Sequence, residues 1–227
     1  MSTVLEQLQA LNPELNIRCV CDPAFRKYGN VHKGFNVQPL IDFLKKNIEI
    51  PADKTAYIAS IPEAEESLDL YQEVSDVIYG GMPIEIGMCS GHNVMMNGME
   101  WHKGNEVIVA TSDTVLFLGC LSDIDFTGEK ITYDSNKVET FFLPEGEMIE
   151  LYDTCLHLAP MHAKAADGFL VSVILPRGTN LPLDKEVSGY KGEPELLKAK
   201  NKWLITHPDR NMGYMGIEGP NLQLKSL

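Results

Sequence analysis

Glu100, His102 and Glu106 stand together in the run E-W-H-K-G-N-E, inside the stretch from Gly91 to Asp113. Carboxylate and imidazole are hard-to-borderline ligands suited to Mn²⁺, Fe²⁺, Co²⁺ or Zn²⁺, and no thiolate accompanies them. On a strand, side chains two apart share a face, so Glu100 and His102 point the same way together with Met96 and Gly98. Asn97, Met99 and Trp101 take the opposite face. Lys103-Gly104-Asn105 reads as a tight turn that returns Glu106 beside His102 on the partner strand of a hairpin. Neither carboxylate tolerates deep burial without a cation, because an unpaired buried charge is either very costly or is neutralised by a pKa shift. A short E-x-H-x-x-x-E also suits the solvated end of a surface hairpin, and this segment alone leaves both readings open.

A second segment, LPEGEMIELYDTCLHLAPMHA, has a P-x-G turn at Pro144 to Gly146 and then His157 inside the apolar run CLHLA. A lone histidine in such a strand is usually a satisfied core residue. With three ligand-type side chains already gathered, His157 is the expected fourth ligand.

The elements that must position these groups follow from hydrophobic patterning. At 227 residues, with 44% hydrophobic and 22% charged, the chain suits one globular domain with a sizeable core. Ser2 or Thr3 can cap a helix carrying Leu5, Leu8 and Leu11; a second follows Gln38-Pro39; Ala64 to Val74 is a third. From Ile84 to Leu175 about eight short apolar or alternating runs succeed one another, a count that suggests a closed β-barrel or jelly roll. EPELLKAKNKWLITHP then reads as a terminal helix, with Trp203 as a core residue. The expectation is a mainly β single domain with flanking helices: residues 1–80 as an extension packed on the barrel, 81–180 as barrel core, 190–227 as C-terminal helix and tail.

The 19 basic and 32 acidic residues give a net charge of −13, which disfavours nucleic acid and anionic membranes. No apolar run reaches the roughly 20 residues of a membrane-spanning helix. The N-terminus lacks the basic start and apolar core of a secretory signal, so a cytoplasmic protein is expected. The five cysteines, Cys19, Cys21, Cys89, Cys120 and Cys155, contain no C-x-x-C pair, which argues against a disulfide framework or zinc ribbon; most are expected as buried apolar side chains.

These motifs resemble the cupin superfamily, whose first motif is a glycine followed by H-x-H and a nearby glutamate, and whose second is P-x-G followed by a histidine. Here Glu100 stands where the first histidine would be, and the interval from Gly146 to His157 is longer than usual. The wider set GHN, MEWHKGNEV, LHLAP, LPRGTN and AKNKWLITHP is similar to a bacterial cupin family long labelled as of unknown function that includes sulfoquinovose isomerases.

The resemblance implies one divalent metal, Mn²⁺ or Zn²⁺, held by Glu100, His102, Glu106 and His157, in an aldose–ketose isomerase that works through a metal-chelated enediolate. Its most specific substrate is sulfoquinovose, converted to 6-deoxy-6-sulfofructose. Glu106 or Glu100, whichever the metal holds more loosely, would be the base, with His92 and His162 as alternatives because a metal weakens a carboxylate as a base. An anionic sugar needs local cations, for which Arg26, Lys27, Lys103, Lys164 and Arg177 are candidates; His92, Asn93, Asn97, His162 and Tyr28 could bind hydroxyls. Rival readings are a cupin lyase or hydrolase of a small acid such as ureidoglycolate, an iron oxygenase, and a non-enzymatic sugar-binding cupin. A homo-oligomer is expected, since many cupins pair through sheet edges or N-terminal segments.

Overall fold

The alternating runs become eight strands: β1 (Ile84–Gly91), β2 (Gly98–Trp101), β3 (Glu106–Ala110), β4 (Thr114–Cys120), β5 (Glu139–Leu143), β6 (Met148–Leu151), β7 (Cys155–Leu156) and β8 (Phe169–Pro176). They are seen in a computed structural model that describes residues 2–227. One sheet has the order β6, β3, β8, β1. In the facing layer β5 pairs with β4 and β4 with β7, and a two-residue bridge between Glu100 and His157 attaches β2 to the end of β7. Every one of these pairings is antiparallel, and the chain passes repeatedly from one layer to the other. That strand order is a jelly roll.

Period-two alternation sorts the side chains. On β3, Val107 and Val109 face outward against helices, whereas Ile108 and Ala110 face the barrel interior with Leu116, Phe141 and Val171. Glu106 therefore shares the inward face. The outer face of this sheet is covered by Leu40, Ile41 and Leu44 of the helix Gln38–Asn47 and by Leu70 and Val74 of the helix Asp69–Val77. Coverage on both faces explains why every residue of β1 and β3 is buried.

The N-terminal extension supplies strands as well as helices. Gly29–His32 pairs with β6 and Thr55–Ile58 with β1, extending that sheet to six strands, and Arg18–Cys19 runs parallel to β5. The helix Val4–Leu11 starts at a capping box in which the Thr3 hydroxyl accepts from Glu6 N–H and the Glu6 carboxylate accepts from Thr3 N–H. The expected third helix divides at Leu68, whose φ of −114° and ψ of 125° are extended, into Pro62–Ser67 and Asp69–Val77. Among the described residues no helix is long and apolar enough to cross a membrane.

Three expectations are corrected. The segment expected as a terminal helix is a short 3-10 turn, Glu193–Leu196, followed by the strands Leu197–Ala199 and Lys202–Thr206. Asn201 turns the chain at a φ of 55°, and the second strand pairs with the free edge of β2. That pairing overrides the local helical spacing, and Trp203, Leu204 and Ile205 suit a strand in any case. Next, β2 and β3 form no hairpin: β2 pairs with Lys202–Thr206 and β3 with β6 and β8. Lys103 to Asn105 is a corner between layers, with Gly104 at a φ of 136°, where a Cβ would come within 3.0 Å of Pro176. Finally, Cys19 and Cys21 are joined in a disulfide, while Cys89 and Cys155 are buried thiols.

Candidate metal centre

Glu100 and His102 leave β2 on its inward face, and Trp101 between them points away, stacked on Trp203 with ring centroids 6.4 Å apart and its indole N–H donated to Glu193. Glu106 enters from the start of β3. His157 arrives immediately after β7, fixed by main-chain bonds to Glu100: Glu100 N–H donates to His157 O at 2.6 Å and His157 N–H to Glu100 O at 3.0 Å. All four are buried, His102 to 2% exposure and Glu106 to 6%.

Each imidazole is oriented from behind. His102 Nδ1 lies 2.7 Å from the Asn201 carbonyl and His157 Nδ1 lies 3.1 Å from the Cys155 carbonyl. A carbonyl can only accept, so in both rings Nδ1 carries the proton, and in the neutral ring Nε2 presents a lone pair. Both lone pairs point at carboxylates. Glu106 Oε2 is 3.3 Å from His102 Nε2 and 3.2 Å from His157 Nε2, and Glu100 Oε1 is 4.0 Å from His102 Nε2. Four acceptors facing one another call for positive charge. His102 Nε2 is a buried atom without a hydrogen-bond partner.

Protons or a metal can supply that charge. Burial alone pushes Glu106 up and His157 down, but each outweighs this for the other: the imidazoles hold Glu106 well below the carboxylate range, and Glu106 holds His157 well above the ordinary imidazole value. Burial likewise opposes ionisation of Glu100, and Lys202, which ion-pairs with its Oε2, together with His102 and His157 more than compensates. Glu100, His102 and His157 offer ligand atoms all within 4.8 Å of one another. Glu106 lies outside that triplet and nearest both imidazoles, at 3.2 and 3.3 Å. Glu100, His102 and His157 could together hold a divalent ion, with both rings oriented by carbonyls behind them.

The centre opens onto a cavity of about 320 Å³ whose polar lining includes Tyr57, Asn93, Asn97, Asn180, Lys202 and Arg210. Of the residues expected to bind substrate, Asn93 and Asn97 line this cavity. His92, His162, Lys103, Arg26 and Tyr28 do not. His92 Nδ1 meets the Pro51 carbonyl, His162 Nδ1 accepts from Asn93 N–H, and the two rings lie against each other at 5.3 Å. Lys103 pairs with Glu193 above the Trp203 ring, Arg26 bonds Asn30, and Tyr28 donates to Glu139. Of the other cations, Lys27 pairs with Glu139 and Arg177 with Glu65, and Lys164 is not on the cavity wall.

Arg210 escaped the sequence reading because it falls in the tail beyond the expected helix's stop, and Lys202 because its segment was read as that helix. As a strand its alternation is informative: Leu204 is opposite Glu100, so Lys202, two residues earlier, shares that face. Cys89 also lines the cavity, its thiol pushed up to about 12 by burial and by Glu100 and Glu106.

Residues 17–222 match the family described as "Domain of unknown function (DUF4867)". Comparison with curated proteins gives no match. Among solved structures, the chain is similar to oxalate decarboxylase from Bacillus subtilis at pH 4.6, with 12% identity, 59% of this chain and 28% of that one covered, and a TM-score of 0.32. It is similar to a variant of salicylate 1,2-dioxygenase from Pseudoaminobacter salicylatoxidans at 9% identity, covering 75% and 40%, with a TM-score of 0.31. For 11S globulin from Wrightia tinctoria the figures are 10%, 41%, 20% and 0.28. The chain spans less than half the length of each of these structures.

Proposed function

The chain belongs to the DUF4867 family, and on that footing we propose that it is a metal-dependent cupin enzyme, an aldose–ketose isomerase of a sugar or anionic sugar. In its most specific form the reaction converts sulfoquinovose to 6-deoxy-6-sulfofructose. The observation that carries the metal is the pair of imidazoles whose Nδ1 protons are spent on main-chain carbonyls while both Nε2 lone pairs face buried carboxylates.

Glu100, His102, Glu106 and His157 would hold the ion, Mn²⁺ or Zn²⁺. When bound, it would polarise a sugar carbonyl and acidify the neighbouring C–H. The chain's own part is to move one proton between adjacent carbons. Glu106 is the better held carboxylate, with Oε2 3.2 and 3.3 Å from the two imidazoles. Glu100 stands further out, 4.0 Å from His102, with its other oxygen turned to Lys202 at the cavity. Glu100 is therefore the group we assign to proton transfer, and Lys202 the residue that positions it. Asn97 on the cavity wall would meet a sugar hydroxyl, whereas the Asn93 amide is spent on the Ala159 and Pro160 carbonyls and the Met95 N–H. The cavity, about 320 Å³, suits one small polar molecule.

The test combines elemental analysis of the purified protein with an isomerase assay on neutral, phosphorylated and sulfonated hexoses. A bound divalent metal and a ketose of unchanged mass are expected. Retained metal with no conversion of any hexose overturns the isomerase, and two fragments in place of one isomer would identify a lyase.

A further inference from the structure

Arg210 ends the short turn Pro208–Arg210 that follows the strand Lys202–Thr206, and its side chain lines the same cavity as Glu100 and Glu106. Its Nη1 is buried and has no hydrogen-bond partner. Lys202, the other cation on the cavity wall, is engaged by Glu100, whereas among the described residues Arg210 forms no ion pair. A buried guanidinium N–H without an acceptor is costly, and an incoming oxyanion offsets that cost with a charge-assisted bond.

The backbone makes room for this group. A Cβ at Gly98 would stand 3.3 Å from Arg210 Nη1 and 3.0 Å from the Ile205 carbonyl. Gly98 is two residues before Glu100 on β2, so the guanidinium lies across the inward face of the strand that carries the acid. On the wall of the same cavity, Asn180 donates through Nδ2 to Tyr57 while its Oδ1 is buried and without a donor. Arg210 Nη1 is thus an unspent cationic donor, and Asn180 Oδ1 an unspent neutral acceptor, at the same cavity.

We propose that Arg210 is a specificity-determining residue that binds an oxyanion on the substrate, a sulfonate, phosphate or carboxylate, while Asn180 Oδ1 accepts from a hydroxyl of the same molecule. The proposal rests on the enzymatic reading above for what the bound molecule undergoes, and not for whether the oxyanion binds.

The test titrates the metal-loaded full-length protein with methanesulfonate, inorganic phosphate and acetate by calorimetry, comparing the native protein with Arg210→Gln and Arg210→Lys. The native protein is expected to bind at least one of the three, and the preferred anion identifies the substituent. Arg210→Gln should weaken that binding by about tenfold or more, with metal content unchanged. Arg210→Lys keeps the charge and loses the planar fork, so an intermediate loss is expected, and it carries the test should the glutamine variant fail to fold. Equal affinity in native and variant protein, or no binding of any of the three anions by the native protein, overturns the proposal. Anion binding lost in Arg210→Gln alongside a failed hexose assay would sink the isomerase and leave Arg210 in place. Conversion of a neutral hexose with no anion binding would do the reverse.

Discussion

Glu100 and His157 exchange both main-chain hydrogen bonds across the junction between β2 and the end of β7, at 2.6 and 3.0 Å. Two ligand-type side chains far apart in sequence are thereby placed by backbone geometry, and their positions do not depend on a flexible loop. A rigidly placed donor set binds a metal with little ordering cost.

Metal binding should consequently show as stabilisation. At a free metal concentration 100 times the Kd, about 2.7 kcal/mol is expected. Thermal melts with and without Mn²⁺ or Zn²⁺ measure it. In Glu106→Ala and His157→Ala, the shift should vanish together with the bound metal.

The pH dependence has a definite sign. Glu106 has a depressed folded-state pKa, so its contribution is present above the ordinary carboxylate value of 4.5 and is lost as pH falls through the folded value. His157 has a raised one, so its contribution is complete below the ordinary imidazole value of 6.5 and is lost as pH rises through the folded value. Metal-free protein should therefore be most stable between these limits. Metal must displace the imidazole proton, so its affinity should increase with pH and its binding should release protons, both readable by calorimetry in buffers of different ionisation enthalpy.

Lys202→Met removes the cation beside Glu100. Breaking a fully buried pair costs about 3–5 kcal/mol. Lys202 retains 23% side-chain exposure, so about 1–3 kcal/mol is expected in the metal-free protein. Denaturant melts should show that loss shrinking when metal is added, because a metal also compensates Glu100. Equal losses in both states would rule out the positioning role.

Cys89 lines the cavity with a thiol pKa of about 12, and so remains protonated at neutral pH. Alkylation by iodoacetamide at pH 8 should be slow in the native protein and rapid after unfolding. Mass spectrometry of the modified peptide distinguishes the two.

Trp101 is fully buried and stacks on Trp203, its register partner on the neighbouring strand. Trp101→Ala should cost about 3–5 kcal/mol in a denaturant melt. Glu100 and His102 flank it, so metal affinity should fall as well.

Ligand types and strand alternation were legible in the sequence: Glu100 and His102 two apart on one face, Glu106 after a glycine corner, and His157 in an apolar run after P-x-G. Period-two patterning needs only local residues, which is why all eight barrel runs appear as strands. What the local pattern lacked was the partner of each edge. The glycine corner reads as a hairpin turn until β2 is seen to pair with Lys202–Thr206, and that strand reads as a helix until β2 offers it unpaired N–H and C=O groups. Long-range pairing therefore decided which cations reach the cavity, bringing in Lys202 and Arg210 and leaving Lys103 and Arg26 outside. It also decided how the His102 ring is held, because the Asn201 carbonyl faces its Nδ1 only once the layers have closed, whereas His157 meets the carbonyl of Cys155, two residues before it in the chain.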